Sequence, residues 1–491
     1  MQLLNQAFAW LSERYFGGIP ADNIAIIVGV LLSYALAHVF RRIPADMPAA
    51  RHVFSVVSSV ISYGIVQGHS TGVVHLAVGS IAIYILMCNL RGPAMPRAVF
   101  LAAMVHMSYS HIRRQMSEAV SGRIEQDYTG AQMVFVMKVT SLANCIHDGQ
   151  RGDRDTLTGY QRKNAIRGVP GLLEYLGYVF FFPAFAIGPA FEMATYRRMV
   201  TVDSRCVASQ LTRRAYKRLV ESLVWMAVYV RFSHVTFAEM VSNHDMYARR
   251  SFVVNAFHLC AAGLVARAAF YTAWKMSEGA CILAGLGFDG FDAEGNAQWM
   301  DIANIHVRGV ELGTSLREMV DSWNIGTNVW LRHHVYLRVS PPRPAGSART
   351  SSTRVTLLTF LVSAWWHGFY PGYYLTFMMG ALASSAARVL RRNLRPLVVP
   401  TTDGAAGQCT RRQAAVKAVY DFVGWLLGLY TLSFLGAPFM LMWARPSLLL
   451  WRYNYFALPL AVLAIFVAFN IPSVKRRLRQ ATLRAAVQAT E

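Results

Sequence analysis

The sequence predicts an all-α fold, a polytopic bundle of membrane-spanning helices. Three observations carry that prediction. Of the 491 residues, 54% are hydrophobic and only 15% are charged, where a soluble domain holds about 25% charged residues. The mean hydropathy is positive, at +0.32. The apolar residues fall in runs of about 20, the length that crosses a bilayer as a helix, and the runs lack the alternation of a membrane barrel.

A net charge of +22 first suggests nucleic acid. The basic residues form no single face, however. They cluster at the ends of apolar runs, at Arg41-Arg42, Arg113-Arg114, Arg213-Arg214, Arg249-Arg250, Arg391-Arg392 and Lys475-Arg476-Arg477. That placement anchors spans against anionic headgroups and cytosol, so membrane lipids are expected as partners and nucleic acid is not. The six cysteines, Cys88, Cys145, Cys206, Cys260, Cys281 and Cys409, form no Cys-x-x-Cys pair, and neither a disulfide framework nor a metal site is expected. Met1 to Arg14 lacks the basic start and cleavage site of a signal peptide, so the first span is expected to act as its own signal.

Residues 1–16 read as an amphipathic interfacial helix, with Leu3, Leu4, Phe8 and Leu11 at near-helical spacing. Asn23–Phe40 is the first span, Val53–Gln67 and Val73–Leu90 follow, and Ala98–Tyr109 is shorter. Ala131–Ile146 carries Lys138, read as a lysine that snorkels or is paired within the bundle, or one that faces a polar cavity. Residues 147–168 form a surface loop. Leu172–Ala194 is an aromatic span in which Pro183 introduces a kink. Leu219–Phe237 and Phe252–Tyr271 come next, and the apolar character continues from Trp274 to Phe288 around Glu278. Residues 289–319 are mixed in charge and suit a loop with short interfacial or re-entrant helices, and 340–353 is a turn-rich linker. Val419–Trp443 and Leu448–Phe469 close the chain. The whole amounts to about ten or eleven membrane segments. They form one domain over 1–491, with a basic tail at 475–491 placed in the cytosol by its charge.

Two stretches depart from a plain span. Thr353–Ala383 carries His367 near its middle. A titratable side chain is costly in hydrocarbon and is ordinarily kept there for a task. On one continuous helix Ser363, His367, Tyr370 and Tyr374 share a face, with Gly368 and Gly372 allowing close approach and Pro371 bending the axis. Upstream, Asp321, Asn324 and Asn328 share a polar helical face, while Trp323 and Trp330 lie on another. A lone histidine in a soluble helix is usually a satisfied core residue, but hydrocarbon offers no water to satisfy it. An asparagine such as Asn324 can equally serve as polar glue between helices. No Gly-x-Ser-x-Gly elbow, phosphate-binding loop or His-Glu-x-x-His site is present, and Gly285-Leu-Gly287 reads as a turn.

At these residues the chain resembles the membrane-bound O-acyltransferase superfamily, in its lysophospholipid acyltransferase branch. The resemblance starts at Gly18-Ile-Pro20-Ala-Asp and Asp127-Tyr-Thr-Gly130. It continues through Lys138-Val-Thr140-Ser141, Asp148-Gly149, Tyr175-Leu-Gly177-Tyr178, Gly188-Pro189-Ala-Phe191-Glu192, Glu278-Gly279 and Trp299-Met-Asp301-Ile-Ala-Asn304. It is strongest at Trp323-Asn324-Ile-Gly-Thr327 through Trp330-Leu-Arg332, and at Ser363-Ala-Trp-Trp-His367-Gly through Pro371-Gly-Tyr-Tyr. It implies Asn324 and His367 as the catalytic pair, with Ser363, Trp366, Tyr370, Tyr374, Asn328, Trp330 and Arg332 as candidates for substrate contact. It also implies acyl-CoA as co-substrate with no bound cofactor and no metal, a lysophospholipid acceptor acylated at sn-2, and the endoplasmic reticulum membrane. A different acceptor alcohol, or a lipid transporter, are the alternative readings. The 340–353 stretch is longer than the usual link between the two motifs.

Overall fold

A computed structural model describes residues 2–15, 20–122, 127–151, 155–340, 353–398, 411–474, 476–478 and 480. Apart from one small hairpin, the regular elements among them are helices. The first half contains α1 (Gln2–Tyr15), α2 (Ala21–Phe40), α3 (Pro48–Ser59) continued by a π-helical turn to Val66, α4 (Ser70–Asn89), α5 (Ala94–Ser121) and α6 (Thr129–Gln150). Shorter pieces follow, α7 (Gly159–Asn164), α8 (Leu172–Val179) and α9 (Met193–Thr201), then α10 (Ala208–Arg231), α11 (Phe237–Ser242), α12 (His244–Arg249) and α13 (Phe252–Leu283). The second half holds α14 (Val307–Glu311), α15 (Leu316–Ser322), α16 (Ile325–Trp330) with a π-helical continuation to Tyr336, and α17 (Leu337–Val339). The last helices are α18 (Thr353–His367), α19 (Pro371–Val398), α20 (Arg411–Leu441), α21 (Ala444–Tyr453) and α22 (Ala457–Ala468).

Five helical segments among the described residues are long and apolar enough to cross a membrane: Ala21–Phe40, Pro48–Val66, Ser70–Asn89, Phe252–Leu283 and Gln413–Leu441. The last apolar run, Leu448–Phe469, is not straight. It breaks into α21 and α22 at 74°, where Tyr455 and Phe456 take positive φ of 52° and 50°. The runs at Phe252–Tyr271 and from Trp274 onward fuse into the single 32-residue α13. Glu278 inside it is neutralised twice, by Lys275 Nζ at 2.7 Å and Arg218 Nε at 2.9 Å, as a buried charge requires.

Leu172–Ala194 is not a span. Helix α8 stops at Val179 and the chain runs on through Phe191 without regular helix. Pro183 lacks a donor, and the freed carbonyls find side-chain partners instead. Lys138 Nζ donates to Tyr178 O (2.8 Å), Ser59 Oγ to Phe180 O (2.7 Å), Ser277 Oγ to Pro183 O (2.6 Å) and Tyr178 OH to Phe191 O (2.8 Å). Irregular backbone at this depth is tolerated where protein surrounds it, and Phe180, Phe181, Phe182 and Phe185 are all buried in the main core. Lys138 therefore does not snorkel and is paired within the bundle, with a backbone carbonyl as its partner. It is 1% exposed, caps a carbonyl and lies 4.4 Å from the Phe191 ring centre.

Residues 289–319 hold α14 and much of α15, as expected, and also a two-stranded antiparallel hairpin, β1 (Phe288–Phe291) with β2 (Ala297–Trp299), which the mixed composition had hidden. Gly285 and Gly287, at φ of 101° and 94°, make the turn into it. The linker at 341–352 and most of the tail at 475–491 lie outside the described residues.

Candidate active site

The helix carrying His367 ends on that residue. Gly368 takes φ of 122°, a conformation open to glycine, and its N–H turns back to Ala364 O and Trp365 O, both at 3.1 Å. Three residues later Pro371 opens α19, at a position where its missing N–H costs nothing. The single polar stripe expected across Ser363, His367, Tyr370 and Tyr374 is therefore cut in two. Ser363, Trp366 and His367 line the central chamber, whereas Tyr370 and Tyr374 do not. Tyr370 turns away, hydrogen-bonding the Glu118 carboxylate beneath the Arg114 guanidinium. Tyr373, one residue from the expected position, lines the chamber instead.

The His367 imidazole is walled by aromatic rings. Phe377 stacks on it at 4.9 Å and 21°, Phe439 meets it edge-on at 4.9 Å, and Trp366 and Tyr373 lie at 4.6 and 5.7 Å. These rings come from α18, α19 and α20, so three helices fix one side chain.

The Asn324 cluster is also broken where the spacing suggested continuity. Helix α15 ends at Ser322, Trp323 is extended, and Asn324 is left-handed at φ 44° and ψ 56°. Asparagine tolerates that region better than most residues. Helix α16 then starts at Ile325, capped from outside. Asn304 accepts the N–H of Ile325 on its backbone oxygen (2.8 Å) and that of Gly326 on Oδ1 (3.0 Å). The Thr327 hydroxyl donates to Asn324 Oδ1 at 2.9 Å, and among the described residues no hydrogen bond engages the Nδ2 donor. Asn328 spends its own Nδ2 on Val320 O and Trp323 O, at 2.7 and 2.8 Å, and so ties α16 back to α15.

Asn324 and His367 line one and the same cavity, of about 3170 Å³. Drug-sized ligands bind in pockets of roughly 300–1,000 Å³, so this space is several times larger than one such pocket. Asn328 and Arg332 line it too. Trp330 does not. It is 2% exposed, donates Nε1–H to Thr140 Oγ1 (2.9 Å) and packs on Trp366 at 5.6 Å. Together with the bond from Trp366 Nε1 to Met133 O (3.1 Å), that contact fastens the Asn324 and His367 segments to α6 and to each other.

A profile of the membrane-bound O-acyltransferase family matches residues 85–437. The chain belongs to that family. It is therefore an integral membrane acyltransferase. Among its relatives, "Lysophospholipid acyltransferase" of Schizosaccharomyces pombe is 30% identical over 96% of this chain and 90% of its own length. The protein of the same name in Saccharomyces cerevisiae is 30% identical over 94% of this chain and 76% of its own. "Membrane-bound glycerophospholipid O-acyltransferase 2" of Homo sapiens is 28% identical over 94% and 87%.

The fold also gathers residues that spacing did not connect. Cys145 Sγ, Glu192 and His334 converge within 4.8 Å. Glu192 accepts hydrogen bonds from His334 Nε2 (3.0 Å), Tyr160 OH (2.7 Å) and Cys145 Sγ (3.4 Å), so these donors are engaged with one carboxylate and bind the irregular 180–192 stretch to the π-helical turn after Trp330. Glu192 lies in a motif the sequence presents; its partners, 47 and 142 residues away, do not.

Proposed function

We propose that this acyltransferase moves a fatty acyl group from acyl-CoA to the free hydroxyl, at sn-2, of a lysophospholipid, in the endoplasmic reticulum membrane. The observation that carries the reading is the shared chamber: Asn324 and His367 line one mostly apolar cavity of about 3170 Å³, room in this reading for a thioester and a lipid alcohol. The names of the relatives support the acceptor class.

In this reading His367 is the general base. It takes the proton of the acceptor hydroxyl as the oxygen attacks the thioester carbonyl, a role that contributes about 10²–10⁴-fold. The C–S bond breaks, the CoA thiolate departs, and the imidazolium returns the proton to the sulfur, so acid and base balance within one turnover. The Nδ2 of Asn324 is the donor for the negative oxygen of the tetrahedral intermediate, worth roughly 10²–10³ in kcat. No metal enters the scheme.

The test uses the purified full chain, labelled acyl-CoA and a panel of lysophospholipids. His367→Ala should lose at least about 10²-fold in turnover with unchanged expression and melting behaviour. Undiminished turnover in that variant removes His367 from the chemistry. Acylation of another alcohol but no lysophospholipid replaces the acceptor, and lipid movement without consumption of acyl-CoA replaces the reaction class.

A further inference from the structure

We propose that His111, on α5, is a positioning residue that sets the direction of the His367 side chain; the proposal rests on the reading of His367 as the base. Trp366 O is one of the carbonyls that a helix ending at His367 leaves without an intrahelical donor. In a continuous helix it would accept the N–H of residue 370, but the backbone turns at Gly368 and that donor is lost. His111 Nε2 supplies the replacement at 3.1 Å. A carbonyl has no hydrogen to give, so the ring must carry its proton on Nε2 and donate.

The other edge of the same ring covers Gly368. A Cβ placed at Gly368 would come within 3.0 Å of His111 Nδ1 and 3.1 Å of Cγ. One buried imidazole, 3% exposed, thus bonds the peptide before His367 and packs close over the glycine after it. The bonded carbonyl belongs to the peptide that carries the His367 nitrogen, so fixing it fixes the direction in which the His367 Cα–Cβ bond leaves the backbone.

Helix α5 reinforces the grip along one face. Ser108 Oγ, three residues before His111, accepts the Trp365 indole N–H at 2.8 Å, and Glu118, seven after, holds the Tyr370 hydroxyl. Arg114, between them, lies 5.7 Å from the Tyr370 ring centre and pairs with Asp127 at 3.2 Å. Of this set only His111 bonds the backbone next to His367. His111 does not line the chamber, so it acts on substrate only through His367.

The test compares kcat and KM for His111→Leu, His111→Gln and His111→Asn in the purified full chain, with His367→Ala as reference. Glutamine carries an N–H donor near the place of the histidine Nε2; asparagine carries it one bond short. Misplacing a catalytic group by about 1 Å can cost 10²-fold. The leucine and asparagine variants should therefore lose about 10- to 100-fold in kcat, with KM for acyl-CoA and lysophospholipid little changed, and glutamine should recover most of the loss. If the leucine variant does not fold, the glutamine and asparagine pair decides alone. Equal kcat in those two, or a loss expressed in KM, overturns the proposal while a dead His367→Ala still upholds the base. A fully active His367→Ala overturns both.

Discussion

At the scale of the residue, the chamber depends on side chains that hold the reacting ones. Asn324 occupies a strained left-handed position, and the cap from Asn304 keeps it there by satisfying two N–H groups at the start of α16. Removing a side-chain cap costs about 1 kcal/mol, and here the relaxed residue is the proposed oxyanion donor. Asn304→Ala should lower kcat by roughly tenfold through that displacement, whereas Asn304→Asp, which keeps the acceptor and places its charge favourably at a helix start, should stay near the parent rate. A kcat series over the three proteins checks this, and an alanine variant as fast as the parent would show that the cap is not needed. His367 is conspicuous in the sequence as a titratable group in an apolar run, whereas Asn324, equally readable as helix glue, is singled out as its proposed partner only by the resemblance to the family. Asn304 was visible only as part of a motif, with nothing in its spacing to say that it closes on residue 326.

At the scale of the element, periodicity alone erred wherever a helix stops inside an apolar stretch. Tyr370 and Tyr374 were grouped with His367 by counting turns, and the count fails because Gly368 and Pro371 end one helix and begin another. Asp321, Asn324 and Asn328 do not share one continuous helix, because α15 ends before Trp323, yet all three still line the chamber. The Leu172–Ala194 run has the composition of a span, but its broken half is buried in protein, and composition does not distinguish a lipid neighbour from a protein one. The chain direction after His367 is enforced by Gly372, whose N–H donates to Met442 O at 2.6 Å and whose missing side chain admits the Pro438 and Met442 carbonyls of the α20 end. Backbone cannot retreat as a flexible side chain can. Gly372→Ala should destabilise the fold by about 1–3 kcal/mol, the usual range for overpacking, and lower the melting temperature in detergent. An unshifted melting curve would mean that α19 and α20 part at little cost.

At the scale of the whole molecule, several arginines gather on one face of the bundle, whereas Arg114, paired with Asp127, sits at the other end of α6. Arg41, at the end of α2, donates to Ala208 O at the start of α10 (3.2 Å), and Arg218 of α10 meets Glu278 near the end of α13. Helix α9 joins the same face, with Arg198 on Asp289 beside the hairpin and the Met199 and Val200 carbonyls on Arg51. The end of α6 joins it through Cys145 and Glu192. Helix α18 reaches the opposite half of α6 at Met133, and α19 then returns for 28 residues, about 42 Å at helical rise, which carries Arg391, Arg392 and Arg395 back toward that first face. All three line the chamber, as do Arg151 and Arg332. A cationic stretch of lining suits the phosphates of the proposed CoA thioester rather than a lipid whose chain stays in the bilayer. Replacing Arg391, Arg392 and Arg395 together with glutamine should raise KM for acyl-CoA on the order of tenfold, since partly exposed ion pairs contribute up to about 1 kcal/mol each. It should leave kcat and KM for the lysophospholipid close to the parent values. Because exposed charges are screened over a Debye length of about 8 Å at physiological ionic strength, the gap between parent and variant should narrow as salt is added. An equal rise in both KM values, or a gap indifferent to salt, would assign these arginines to the fold instead of to the donor.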